Sequence, residues 1–194
     1  MRFCFCAVAV CYILGQRFSS INTTSLCEFI RRSVNYDGGI GQAPELESHG
    51  GSVYCAIASL SLLGRIWDYS VLGRRELDRL RAWVVWKQDE GFHGRANKPD
   101  DTCYSFWLGA TLHTMNAQSL VEEVSVRRHL IQAQDERIGG FSKYEDGHSS
   151  DLLHTYFSLA ALALLNQPGL EPIWPELAVT QRVRASMMAV WRRL

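Results

Sequence analysis

Apolar positions along the chain fall into two alternating kinds of run, and each kind predicts a different helix. The first is amphipathic. Ser25 and Glu28 have capping-box spacing, and Leu26, Phe29, Ile30 and Val34 follow at helical intervals before Asp37-Gly38-Gly39 ends the run. Leu77, Leu80, Trp83 and Val84 share one face of a later segment, with Arg74, Arg75, Asp78, Arg79 and Arg81 on the others. A third amphipathic helix is expected over Val121 to Gln134. The second kind is apolar nearly all round. It covers Val53 to Leu63 with Gly64 as a stop, Asp101 through Leu112, and Asp151 to Leu165, where Asn166-Gln167-Pro168-Gly169 breaks it. A helix without a polar face is a buried one. The tail from Glu171 is less regular, with one helix expected near Val183 to Leu194. Strand signals are weak, so the fold class is all-α.

The two kinds alternate with a fixed period. Gly39-Ile40, Gly91-Phe92 and Gly140-Phe141 mark three equivalent loops, and Ala58-Ser59-Leu60, Ala110-Thr111-Leu112 and Ala160-Ala161-Leu162 mark three equivalent apolar helices. Each unit of about fifty residues is an outer amphipathic helix, a glycine-rich loop and an inner apolar helix, the pattern of a stacked or closed helical-hairpin array. Residues 1–194 are read as one domain of this kind. His49, Arg95, Lys98, Asp101, Cys103 and His154 all fall in the loop or first turn of an inner helix. They are therefore expected to meet at one end of the array.

Composition narrows the picture further. The 194 residues are 47% hydrophobic, ample for one sizeable core. Lys+Arg and Asp+Glu are both 20, so no global field draws the chain to nucleic acid or to an anionic membrane. The six cysteines lie mostly in apolar runs rather than in the dense framework of a small secreted protein. Reduced thiols and a cytoplasmic setting follow. The stretch Met1 to Gly15 is too short to span a bilayer. It reads either as a short signal peptide, with Arg2 as its basic end, or as a buried helix, and the repeats favour the helix.

Asp101, Cys103 and His154 supply a carboxylate, a thiolate donor and an imidazole. A catalytic zinc site holds three protein ligands of such types and keeps a fourth position open. Each residue alone has a plainer explanation: Asp101 as a helix cap, Cys103 as a small core side chain like Cys4, Cys6, Cys11, Cys27 and Cys55, His154 as a half-buried histidine. Their registration in adjacent inner helices favours the metal, with Asp101 and Asp151 at equivalent helix starts. Arg95 and Lys98 would ordinarily be a solvated loop. Beside a metal they become an anion clamp.

These residues carry a resemblance. His49-Gly50-Gly51, then Gly94-Arg95-x-Asn97-Lys98, Asp101-x-Cys103-Tyr104-Ser105-Phe106-Trp107 and Asp151-x-x-His154 resemble, in that order, the β subunits of protein prenyltransferases, from Arg2 to about Arg184. Asn97-Lys98-Pro99, Gly109-Ala110-Thr111-Leu112, Leu153 and Lys143 resemble the type I geranylgeranyltransferase branch more than the farnesyl or Rab-specific branches.

The resemblance implies an α-α barrel of helical hairpins around an apolar funnel. It also implies transfer of a geranylgeranyl group from its diphosphate to the cysteine of a C-terminal CaaX motif, on proteins such as small GTPases. Asp101, Cys103 and His154 would hold zinc, which keeps the substrate cysteine as a thiolate. His49, Arg95, Lys98 and Tyr104 would bind the diphosphate. Lys143 would stand where the farnesyl enzyme has a magnesium-binding aspartate, so magnesium would not be required, and Lys143 and Tyr104 would assist the transfer. Arg2, Cys55 and Trp107 would line the isoprenoid funnel, and Leu153 the pocket for the last peptide residue. An α subunit would be the partner. The match covers only a partial barrel, lacking roughly the first half, and the segment Ile13 to Ser20 departs from the family's pattern. The chain is therefore expected to be inactive alone. Three other readings remain: a farnesyltransferase-like β subunit, a truncated helical-repeat interaction module that keeps the zinc residues without catalysis, and an unrelated toroid such as a terpene cyclase, which lacks the Asp-x-Cys…His constellation.

Overall fold

In a computed structural model the alternation of sequence types becomes an alternation of outer and inner helices; residues 1–16, 18–145 and 149–192 are described. The inner helices are α1 (Arg2–Ile13), α3 (Gly50–Leu62), α5 (Thr102–Thr114) and α7 (Leu152–Leu164), and each packs on the next. The outer helices are α2 (Thr23–Arg32), α4 (Arg74–Val85) and α6 (Glu123–Gln132). Helix α3 is buried along nearly its whole length, whereas α4 buries only Leu77, Leu80, Trp83 and Val84. That division follows from the sequence: an apolar surface all round requires neighbours on every side.

Backbone bonds repeat with the hairpins. Bridges Val34↔Ile40, Gln88↔Phe92 and Gln134↔Phe141 close the same loop three times. The first turn of one inner helix donates to the loop of the next hairpin, from Gly50 N–H to Gly94 O (2.8 Å) and from Thr102 N–H to Lys143 O (3.1 Å). Consecutive units are thus tied at one end. Along the inner face a belt of rings runs from α1 to α7: Phe5 on Tyr54 (5.5 Å between centroids), Tyr54 on Trp107 (4.8 Å) and Trp107 on Phe157 (4.3 Å).

Several expectations need correction. Asn22, not Ser25, caps α2, because its side chain accepts the Ser25 N–H and starts the helix earlier. Helix α3 begins at Gly50, capped by His49. Its first residue is tightly packed: a Cβ at Gly50 would lie 3.0 Å from Tyr104 Cδ1, so that ring would have to give way slightly. The helix expected over Val121 to Gln134 is a 3-10 turn, Gln118–Leu120, followed by the shorter α6, with Val121 extended between them. Helix α1 is only partly buried: Val8 and Cys11 face the core, while Phe3 and Val10 are exposed. Cys6 is exposed, and Cys4 and Cys27 are half-buried rather than core. All six cysteines are free thiols.

The tail is more ordered than its composition suggests. Ile173–Trp174 (β1) and Val179–Thr180 (β2) form a short antiparallel hairpin, followed by α8 (Gln181–Trp191); Arg193 and Leu194, expected in that helix, lie outside the described residues. Tyr54 Oη donates to Pro175 O at 2.7 Å, and Trp191 Nε1 donates to Ile13 O at 3.1 Å. The tail therefore packs along the inner helices, reaching both the early turns of α3 and the C-terminal end of α1. Among the described residues no helix is long and apolar enough to cross a membrane.

Candidate active site

Three successive inner helices begin with a side chain that caps its own first turn. His49 Nδ1 accepts the Gly51 N–H at 3.0 Å, Asp101 Oδ1 the Cys103 N–H at 3.0 Å, and Asp151 Oδ1 the His154 N–H at 2.9 Å. Capping selects a polar side chain at this position, and the repeat stacks the three positions at one end of the array. The metal donors meet here. One ligand atom each from Asp101, Cys103 and His154 lies within 4.8 Å of the others, with Asp101 and Cys103 buried and His154 half-buried. His154 Nε2 is 3.3 Å from Asp101 Oδ1, and its Nδ1 is 2.6 Å from Asp151 Oδ2. One ring nitrogen is thus anchored while the other faces the cluster, as outer carboxylates orient ligating histidines. The sequence placed Asp151 at an equivalent helix start but did not assign it this orienting task. The Asp-x-x-His spacing within one cap turn was the available signal.

Burial pushes the Cys103 thiol well above its ordinary range, and the neighbouring Asp101 charge adds to this. A carboxylate and a thiol crowded together out of water are unfavourable as bare groups. A divalent cation offsets both, so the donor set fits zinc.

Beside the triad lies a small pocket lined by Gly94, Arg95, Lys98, Asp101, Tyr104 and Lys143. Lys143 Nζ is 3.7 Å from Asp101 Oδ2, and Arg95 is 3.9 Å from Glu47. Tyr104 Oη and His49 Nε2 are 3.0 Å apart. Burial, then the charges of Arg95 and Arg2, hold His49 below its ordinary pKa. Burial pushes the Tyr104 phenol up to about 12. The pocket therefore brings three cations and the Tyr104 hydroxyl, with His49 behind it, against the single Asp101 carboxylate, and the excess of positive charge suits an anion. Lys98 is exposed at the rim.

The residues expected along the funnel are less uniform. Cys55 is buried, with its thiol pushed up to about 12 by burial, and Trp107 is half-buried within the aromatic belt. Arg2 is exposed, yet its charge reaches His49, Tyr104 and Cys55. Leu153 is 51% exposed, with Leu152 and Tyr156 also exposed along α7.

Residues 1–179 match the model of the prenyltransferase alpha-alpha toroid domain. The chain belongs to this family. It is 41% identical over 186 residues to the geranylgeranyl transferase type-1 subunit beta of Arabidopsis thaliana, covering 92% of this chain and 49% of that protein. It is 41% identical over 182 residues to the corresponding subunit of Dictyostelium discoideum, covering 94% and 50%. Candida albicans protein geranylgeranyltransferase-I, solved in complex with GGPP, superposes with a TM-score of 0.87 at 29% identity, over 96% of this chain and 55% of that one. The chain thus spans about half the length of the relatives it matches, and its helical hairpins form an arc of the toroid.

Proposed function

We propose that this chain carries the catalytic half of a type I protein geranylgeranyltransferase β subunit, acting with an α subunit on geranylgeranyl diphosphate and CaaX-terminated proteins. The observation that carries this reading is the adjacency of the Asp101–Cys103–His154 donor triad and the cationic pocket of Arg95, Lys98 and Lys143. The identity to type-1 β subunits supports it.

Asp101, Cys103 and His154 would hold zinc, with Asp151 fixing the imidazole. Zinc bound there supplies a Lewis acid that lowers the pKa of a substrate thiol. Arg95 and Lys98 would take the diphosphate, fixed cations being most effective where charge develops on a leaving group. The His49 tautomer follows from its bonds: Nδ1 accepts from Gly51, so the proton sits on Nε2 and is donated to Tyr104 Oη. The Tyr104 hydroxyl proton is then free to be donated to a diphosphate oxygen. Lys143, beside Asp101, would supply fixed positive charge, so turnover is expected without magnesium. The half-buried Trp107 and Phe157 rings of the aromatic belt offer an apolar wall along which an isoprenoid would lie, backed by the buried Tyr54.

The test is co-expression with a prenyltransferase α subunit, using the chain as written and the chain joined to the N-terminal half of the Arabidopsis relative. Labelled geranylgeranyl transfer to a peptide ending in leucine is then measured, with Asp101→Ala and Cys103→Ala as controls. Transfer by the joined chain, lost in both controls, is the expected result. No transfer by either form while zinc stays bound would overturn the enzymatic reading in favour of a non-catalytic interaction module.

A further inference from the structure

The loop between α4 and α5 holds a second cluster of donors that the proposed reaction does not use. Asp89, His93 and Asp100 each place one ligand atom within 4.8 Å of the other two. His93 Nδ1 is 3.4 Å from Asp89 Oδ2 and 3.7 Å from Asp100 Oδ1. Both separations exceed the roughly 2.7–3.2 Å of a hydrogen bond. They match instead the spacing of about 3.4 Å between two ligands of a tetrahedral ion bound at about 2.1 Å.

Two of the three atoms also lack any other explanation for their position. His93 Nδ1 and Asp100 Oδ1 are sealed from solvent and make no hydrogen bond, although the two side chains face each other and are only 12% and 13% exposed. Buried polar atoms are normally satisfied, and a facing pair left unsatisfied needs an account. Neither is displaced by a floppy backbone. Asp100 Oδ2 accepts the Gly91 N–H at 2.7 Å, and His93 N–H donates to Lys87 O at 2.9 Å. Asp100 thus spends one oxygen on the loop and points the other at the imidazole. The third donor, Asp89, is largely exposed and leaves an entry path and room for water ligands.

We propose that Asp89, His93 and Asp100 form a second divalent-cation site, separate from the Asp101–Cys103–His154 triad. One imidazole and two carboxylates suit zinc or another borderline ion better than a thiophilic one. The ion would clip the two ends of the Asp89–Asp100 loop together. That loop carries Gly94, Arg95 and Lys98 to the anion pocket, so the clip would set their position without touching the pocket.

Equilibrium dialysis against zinc tests this in a Cys103→Ser/His154→Asn background, which erases the first site in the full chain. Saturable uptake of one zinc per chain is expected to remain. Adding Asp89→Asn or His93→Gln should weaken it at least tenfold, whereas Asp89→His, exchanging one zinc donor for another at an exposed position, should retain it. Circular dichroism confirms the helical content of each variant. Absence of saturable zinc in the background chain would overturn the proposal and leave a plain histidine–carboxylate pair. Uptake unaltered by both Asp89→Asn and His93→Gln would overturn it equally. Neither result depends on transferase activity, so the site can fail while the proposed function stands.

Discussion

Tyr104 Oη lies 3.0 Å from His49 Nε2, joining the starts of two neighbouring inner helices across the anion pocket. Because Gly51 N–H occupies His49 Nδ1, the histidine is the donor in this pair and the phenolic proton is left for a ligand. Tyr104→Phe removes that proton and leaves the Nε2–H without its acceptor. We expect a loss of about 1 kcal/mol in stability, the size of one half-buried hydrogen bond. Turnover should fall by more, about tenfold to a hundredfold, if the hydroxyl meets charge that grows in the transition state. Single-turnover kinetics at saturating diphosphate separates the two effects. An unchanged rate would remove Tyr104 from the reaction.

Gly94 is required by that same tyrosine. A Cβ on Gly94 would fall inside the Tyr104 ring. Gly94→Ala is expected to cost about 1–3 kcal/mol, the range for overpacking a tight site. The cause can be isolated: in a Tyr104→Ala background the same glycine substitution should be nearly neutral, since the clashing atoms are gone. Urea denaturation of the four chains reads the coupling directly. Additive losses would place the strain elsewhere.

Asp151→Asn tests the outer support of the metal triad. The carboxylate is held below its usual pKa, first by the His154 N–H and then by the His154 ring, so it is ionised at neutral pH. An amide can keep the cap but loses the charge that orients the imidazole. Zinc affinity is expected to fall about 10–100-fold, as for other outer-shell partners of ligating histidines, while the helical signal is unchanged. A competition titration with a chromogenic chelator measures this. Equal affinities would show that Asp151 serves the helix alone.

Much of this arrangement was legible in the sequence, for a physical reason. Repeats impose the same solution on each unit, so the pairs Gly39-Ile40, Gly91-Phe92 and Gly140-Phe141 located the loops, and the run Asp101-x-Cys103 with His154 located the cluster. Element boundaries were less legible, because caps depend on one hydrogen bond. Asn22 outcompeted Ser25 for α2, and His49, a residue not favoured as a cap by composition, starts α3. Burial along α1 and α7 was misjudged for another reason. Periodicity says that a face is apolar, but not whether a neighbour covers it, and Phe3 and Leu152 stand exposed although both are strongly apolar. The Asp89–His93–Asp100 cluster was invisible because its members lie at irregular spacing in a loop and meet only when the Gln88↔Phe92 bridge folds it back.

The pH dependence of stability should carry a signature of His49. Burial, reinforced by Arg95 and Arg2, lowers its pKa in the folded chain. In the unfolded chain the residue titrates near its ordinary value of about 6.5. Below that value the unfolded state binds the proton first, so the unfolded state gains and stability drops as pH falls. The contribution is therefore fully present above about pH 6.5 and is lost as pH falls towards the folded value. Urea midpoints measured between about pH 7.5 and 5.5 should decline in the wild-type chain, and His49→Gln should flatten part of that decline. Diphosphate reverses the balance locally, because an anion favours the charged imidazole. Binding of inorganic diphosphate should accordingly tighten as pH falls through the same window, with proton uptake visible by calorimetry in buffers of different ionisation heat. If binding is pH-independent while the stability slope persists, His49 caps its helix and holds Tyr104 but does not meet the anion.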